Sequence, residues 1–178
     1  MLVALVGPSG SGKSSIGKVL AEKINWRFCD ADREIESRMG LSIAQIFETY
    51  GETEFRRQEQ SYLQSLISLN RRNIILSTGG GMPCFENNWQ LLESLGKIVY
   101  LTAPVEVLVT RVMTGEKRPL LSSGSADSET AKEELGKKLE KLISERDRFY
   151  NRARYKIDTS NGSAENHAEE IIRSLALV

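Results

Sequence analysis

Apolar and polar residues fall in blocks along this chain. Leu2 to Val6 is an unbroken apolar run, the pattern of a strand buried on both faces. Gly7 to Gly12 is glycine-rich, and Ile16, Val19, Leu20 and Ile24 then recur at helical spacing. A strand, a glycine loop and a helix are predicted in that order. Trp26-Arg27-Phe28-Cys29 reads as a second short strand, with a polar helix behind it that stops near Gly40. Ser42-Ile43-Ala44-Gln45 fits a capping box, so a short helix starts there and ends near Gly51. Phe55, Tyr62, Leu63, Leu66 and Leu69 mark the apolar face of a longer helix. Ile74-Ile75-Leu76 predicts a third strand ending in "STGGG". Trp89, Leu91, Leu92 and Leu95 predict a helix closed by Gly96. Ile98 to Leu101 reads as a fourth strand, and Pro104 suits the first turn of the helix behind it. Residues 114 to 130 carry little apolar content and predict a mobile loop. A charged helix follows from about Ala131 to Arg152, then a fifth short strand at Tyr155-Lys156-Ile157. Ile171, Ile172 and Leu175 end the chain helically. Strands alternating with helices predict an α/β fold, a five-stranded parallel sheet flanked by helices.

Bulk composition narrows the picture without changing it. The chain has 178 residues, which favours one compact domain. Lys plus Arg and Asp plus Glu are both 24, so any basic site is local and no general case for nucleic acid exists. No apolar run approaches the ~18 residues of a membrane span, and the N-terminal run is too short for a signal peptide. Cys29 and Cys84 lack metal-ligand spacing and read as reduced thiols of a cytosolic protein. His167 is the only histidine and lies in a polar segment, which leaves histidine-based catalysis almost no material.

Chemistry enters with Gly7-Pro8-Ser9-Gly10-Ser11-Gly12-Lys13-Ser14, a complete P-loop set between a strand and a helix. The glycines let backbone N–H groups turn inward at a helix N-terminus, where anions are favoured. Gly10, Ser11 and Gly12 would cradle the phosphates and Lys13 would reach the β- and γ-phosphates. The Ser14 hydroxyl would ligate Mg²⁺, and Ser15 stands beside it as a helix-turn cap near the α-phosphate. The motif fixes a nucleoside triphosphate but not the second substrate. Taken alone, "GPSGSGKSS" resembles the phosphate loop of guanylate kinases as much as any other.

A second signal is "FCDAD". In an extended segment i and i+2 point the same way, so Asp30 and Asp32 are expected side by side at a strand's carboxyl end. Two like charges there call for a metal, arginines or both; the same aspartates also make good helix N-caps. Arg56 falls on a helix in "GETEFRR", where Glu52 and Glu59 are helical partners for it. Gly79, Gly80 and Gly81 end the third strand, and Arg118 in "KRPLL" edges the polar loop. Ligands of open α/β sheets bind beyond the carboxyl ends of the strands, so these groups are expected to converge on one crevice.

The ordered set "GxxxxGKS", "FCDAD" with "REIE" after it, "GETEFRRQE", "TGGG" and "RPLL" resembles shikimate kinase, over residues 1 to about 160. The resemblance implies a nucleoside-monophosphate-kinase-like fold. It also implies transfer of the γ-phosphoryl of ATP to the 3-hydroxyl of shikimate, with Mg²⁺ as cofactor, in the pathway to chorismate and the aromatic amino acids. It implies that Asp32 binds the ring hydroxyls and serves as base, and that Asp30 holds the Mg²⁺ shell through water. Arg56 and Arg146 would grip the substrate carboxylate, with Gly79, Gly80 and Gly81 lining the approach. Arg111 would stack on adenine, and Arg118 would close on the γ-phosphate, making Lys13, Asp32 and Arg118 the catalytic set. Ser77 or Thr78 could replace a second metal-binding acid. A single domain is expected, with a substrate-binding helical region at about 31–62 and a mobile lid at about 112–130. A cytoplasmic monomer that meets ATP and shikimate, and neither nucleic acid nor membrane, completes the expectation. A different small-molecule or nucleotide kinase, or a non-catalytic ATP-binding switch, remains open on the P-loop alone.

Overall fold

In a computed structural model that describes residues 1–114 and 128–177, five parallel strands run in the order β2-β3-β1-β4-β5. They are β1 (Leu2–Val6), β2 (Arg27–Asp30), β3 (Ile74–Ser77), β4 (Gly96–Thr102) and β5 (Tyr155–Asp158). Helices α1 (Lys13–Lys23), α2 (Ala31–Met39), α3 (Ile43–Ser68), α4 (Asn88–Leu95), α5 (Val105–Thr114), α6 (Ser128–Tyr150) and α7 (Ala164–Leu175) cover both faces. The alternation of side chains along a strand explains the two layers. Leu2, Ala4 and Val6 of β1 pack with Tyr62, Leu63, Trp89 and Tyr150 from α3, α4 and α6. Val3 and Leu5 face the other way, onto Ile16 and Leu20 of α1 and Ala168, Ile171 and Leu175 of α7. Every residue of β1 is fully buried, which is why its sequence shows no polar alternation.

The topology also locates a crevice. The connection leaving β1 runs toward the β2 edge, and the one leaving β3 runs toward the β5 edge. The gap opens between the carboxyl ends of β1 and β3, the switch point of an open sheet.

Local signals held in most places. The capping box at Ser42 is formed: the Ser42 hydroxyl accepts from the Gln45 N–H at 3.3 Å, and the Gln45 side chain accepts from the Ser42 N–H at 2.9 Å. Gly51 (φ 79°, ψ 171°) breaks α3 into the short and long helices expected on either side of it. Three boundaries move. Leu69 lies beyond the last turn of α3 and is 60% exposed, so the apolar stripe ends at Leu66. Helix α6 starts at Ser128 and ends at Tyr150, so 128–130 belong to it rather than to a loop. Helix α5 extends to Thr114; residues 115–127, with Arg118 and most of the expected lid, lie outside the described residues. Among the described residues no helix is long and apolar enough to cross a membrane.

Candidate active site

The P-loop ends with Gly12 as the N-cap of α1 at φ 90°, a left-handed conformation that glycine adopts without a Cβ penalty. Lys13 starts the helix and folds back over the loop, its ammonium donating to the carbonyls of Gly7 and Pro8 at 2.8 Å each. Burial pushes the Lys13 amine down to about 8, against the nearby Asp32 and Asp30 carboxylates, which hold it up. The Ser14 hydroxyl donates to Asp30 Oδ2 at 2.8 Å and lies 3.2 Å from the Ser77 hydroxyl.

The aspartate pair does not sit side by side in an extended segment. Asp30 closes β2 and caps α2, accepting from the Arg33 N–H at 3.5 Å, whereas Asp32 already lies in the first turn of that helix. The strand stops one residue before the alternation could align the two carboxylates, because the cap turns the chain at Asp30. The result separates their surroundings. Asp30 meets the Ser14 hydroxyl; Asp32 points inward, where its Oδ1 is buried without a hydrogen-bond partner. Burial first, then the Asp30 charge, push the Asp32 carboxyl up to about 6, against the opposing Lys13 and Arg56 charges.

The triple glycine is the meeting point of the remaining groups. A Cβ on Gly79 would stand 2.8 Å from both Asp32 Oδ1 and Glu59 Oε1. One on Gly80 would stand 3.1 Å from the Arg146 guanidinium and 3.6 Å from the Tyr150 hydroxyl, and one on Gly81 would fall on the Arg56 guanidinium. None of these three glycines has the positive φ that glycine alone favours, so the requirement here is room for the five side chains around them. The Tyr150 hydroxyl donates to the Gly80 carbonyl at 2.6 Å and fixes the segment against α6.

Arg56 makes both helical ion pairs that its sequence neighbours allow, to Glu52 at 2.9 Å and Glu59 at 2.8 Å. It is not a surface arginine: its side chain is 14% exposed, and that of Glu59 is fully buried. Burial pushes the Glu59 carboxyl up to about 7 despite the Arg56 pairing, and the Glu59 and Glu52 charges hold the Arg56 guanidinium up. Arg146 is half-exposed and makes no salt bridge among the described residues. Its guanidinium stands beside Gly80 and the Tyr150 hydroxyl.

A cleft of about 490 Å³ joins these parts. Gly10, Gly12, Lys13, Ser14 and Ser15 line it along the P-loop, with Ser11 buried beneath. Asp30, Asp32, Ser77, Thr78, Gly79 and Gly80 form one end, which Arg56, Gly81 and Arg146 adjoin. Arg111, Thr159, Gly162, Ala164 and His167 form the other. Arg111 donates to the Thr159 hydroxyl at 3.1 Å and to the Thr159 carbonyl, and the Thr159 hydroxyl donates to the Ser11 carbonyl at 3.1 Å. The described residues hold no group of three or more His, Cys, Asp or Glu that could hold a metal ion. Ser14, Asp30 and Ser77 instead offer a small set of hard oxygen donors. That set suits Mg²⁺, which takes one or two protein oxygens beside phosphates and waters.

Two residues escaped sequence reasoning as site groups: Glu59 beside Gly79, and His167 in the cleft lining. Glu59 falls on the same helical stripe as Phe55, Tyr62, Leu63 and Leu66, and His167 on that of Ala168, Ile171 and Leu175. A polar residue on an apolar stripe was the signal available for both.

The family model for shikimate kinase matches residues 9–176. The shikimate kinase of Buchnera aphidicola subsp. Acyrthosiphon pisum is 40% identical over 174 residues, 97% of this chain and 95% of that protein. The structure of shikimate kinase from Acinetobacter baumannii in complex with shikimate superposes with a TM-score of 0.85 at 37% identity, over 98% of this chain and 92% of that one. The shikimate kinase structure from Bacteroides thetaiotaomicron gives 0.87 at 29% identity, over 99% of this chain and 98% of that one.

Proposed function

Because this chain belongs to the shikimate kinase family, we propose that it transfers the γ-phosphoryl of ATP to the 3-hydroxyl of shikimate, giving shikimate 3-phosphate and ADP. The observation that carries the reading is the gathering of Asp32, Glu59, Arg146 and Arg56 around Gly79, Gly80 and Gly81, at the end of the cleft that the P-loop opens into.

The acceptor bears a carboxylate and neighbouring hydroxyls. Arg56 and Arg146, from α3 and α6, give it two planar guanidinium groups to bind in bidentate fashion, which lysine could not match. Glu59 pins Arg56 by an ion pair, and Arg146 stands at Gly80 from α6. The unpartnered Asp32 Oδ1 takes a hydroxyl proton as a hydrogen bond, relieving a buried acceptor that otherwise costs free energy. With a carboxyl near 6, Asp32 is mostly ionised at pH 7 and basic enough to take that proton as the phosphorus–oxygen bond forms. The hydroxyl attacks the γ-phosphorus and the bond to the bridging β,γ-oxygen breaks, leaving ADP.

Charge spreads over the equatorial oxygens during transfer, so positioned donors do most of the work. The N–H groups of Gly10, Ser11, Gly12 and Lys13 and the Lys13 ammonium supply them. Lys13 exchanges the Gly7 and Pro8 carbonyls for phosphate oxygens when the nucleotide enters. Mg²⁺ would be held by Ser14 and, through water, by Asp30, and would supply charge neutralisation to the triphosphate. The family resemblance assigns the γ-phosphate contact to Arg118, which lies outside the described residues, and the acceptor to a helical region at about 31–62. Arg111 stacks on adenine, aligned by its bonds to Thr159. The working unit is a cytoplasmic monomer, and its zero formal net charge gives it no general attraction to nucleic acid or anionic membranes.

An acceptor panel tests the reading. ADP release by the purified chain with ATP and Mg²⁺ is expected with shikimate and not with gluconate or a nucleoside monophosphate. Transfer to a nucleotide, which needs no paired arginines at Asp32, would replace it.

A further inference from the structure

Arg56 and Arg146 face the same glycine segment but are held in different ways. Arg56 is clamped by Glu52 and Glu59 at 2.9 and 2.8 Å. Arg146 makes no salt bridge among the described residues. One helical turn further along α6, Tyr150 places its hydroxyl within hydrogen-bond reach of the Arg146 side chain. A Cβ on Gly80 would stand 3.1 Å from the Arg146 guanidinium and 3.6 Å from that hydroxyl, so both groups lie against one glycine.

The phenol is a fixed point. Tyr150 is fully buried, and its ring stacks on Tyr100 of β4 with centroids 5.1 Å apart. Its hydroxyl donates to the Gly80 carbonyl at 2.6 Å. Burial pushes the phenol above its ordinary range, so the hydroxyl keeps its proton at neutral pH. That single proton is spent on Gly80, because a carbonyl can only accept. What remains is an acceptor lone pair, and a guanidinium, which can only donate, is its complement. The hydrogen bonds therefore run one way, from Arg146 to Tyr150 to Gly80. A carboxylate in place of the phenol would hold the guanidinium as well, but it would offset the positive charge that an anionic acceptor requires. The neutral phenol leaves that charge to the acceptor. We propose that Tyr150 is a positioning residue whose hydroxyl aims the Arg146 guanidinium at the carboxylate of the acceptor. This rests on the reading of the triple-glycine end of the cleft as the acceptor site.

Tyr150→Phe keeps the ring and removes the hydroxyl, and steady-state rates with shikimate, with its methyl ester and with varied ATP test the role. The variant is expected to raise the KM for shikimate about five- to tenfold, with kcat within about twofold and the KM for ATP unchanged. The ester carries no carboxylate for Arg146 to grip, so its kcat/KM should fall by less than about twofold. In an Arg146→Ala background the same substitution should add nothing to the KM for shikimate. A merely structural role would weaken shikimate and ester alike, and that result would overturn the proposal. So would an unchanged KM for shikimate, or the full loss on top of Arg146→Ala. A crystal structure of the wild type with shikimate needs no variant: Arg146 should hold the carboxylate while still donating to the Tyr150 hydroxyl, and an Arg146 turned away from Tyr150 in that complex would refute the role. A wild type that does not phosphorylate shikimate would remove the acceptor reading, and this role with it.

Discussion

At the proposed nucleotide end of the cleft the anchoring groups are main-chain amides of consecutive residues, Gly10 to Lys13, fixed by a strand before the loop and a helix after it. At the acceptor end they are side chains drawn from α2, α3, the segment after β3, and α6. The first construction is local and depends little on side-chain chemistry beyond Lys13. The second exists only when four elements pack correctly, and it buries carboxylates beside guanidiniums. The contrast shows in the electrostatics: Asp32 and Glu59 are pushed up to about 6 and about 7 by burial at the assembled end. On the proposed reading, binding at one end is expected to be generic, and at the other specific and sensitive to single substitutions.

Asp32→Asn should break the symmetry most. It is expected to lower kcat by about 100- to 10,000-fold, the range for removing a general base, while ADP affinity stays near that of the wild type. Parallel ADP titration and a coupled turnover assay check both halves. Next, Arg56→Ala removes one partner of a buried pair and should cost about 100-fold in kcat/KM for shikimate. Gly81→Ala, which puts a methyl where the Arg56 guanidinium lies, should move the same parameter the same way by about tenfold. Neither should change the KM for ATP, and a change confined to ATP would erase the division between the ends.

The pH dependence sharpens it. Asp32 and Glu59 rise from the ordinary 3.8 and 4.5 to about 6 and about 7 on folding. Between those values the native state binds more protons than the unfolded one, so their contribution to stability falls as pH rises from about 4 to about 7. Thermal melts of ligand-free protein should show that slope, and Glu59→Gln should flatten it. Activity runs the other way. Protonating Asp32 removes the base, so kcat/KM for shikimate should fall as pH drops below about 6. The smallest effect belongs to the nucleotide end: Thr159→Val removes the hydroxyl that ties Arg111 to the P-loop and should raise the KM for ATP about two- to fivefold.

Legibility followed the same division. The P-loop, the strands and the Gly51 break were readable because their signals lie within a few residues of one another. Arg56 was readable as a residue but not as a buried one, since the distant glycine segment packs against its guanidinium. Asp30 and Asp32 were found, yet their relative orientation was misjudged because a helix cap ends the strand between them. Glu59 stood in the open as an unexplained acid on an apolar stripe, passed over because helical pairing with Arg56 already gave it a use. His167 has polar sequence neighbours, although its own helical position faces the core.

The central claim is that both ends act on one pair of reactants in line. A crystal structure of the chain with ADP and shikimate tests it most directly. The account predicts the acceptor's carboxylate between Arg56 and Arg146, with its 3-hydroxyl at the Asp32 carboxylate and directed toward the terminal phosphate of ADP. Shikimate bound away from the triple glycine, or bound there with its carboxylate toward the P-loop, would contradict it.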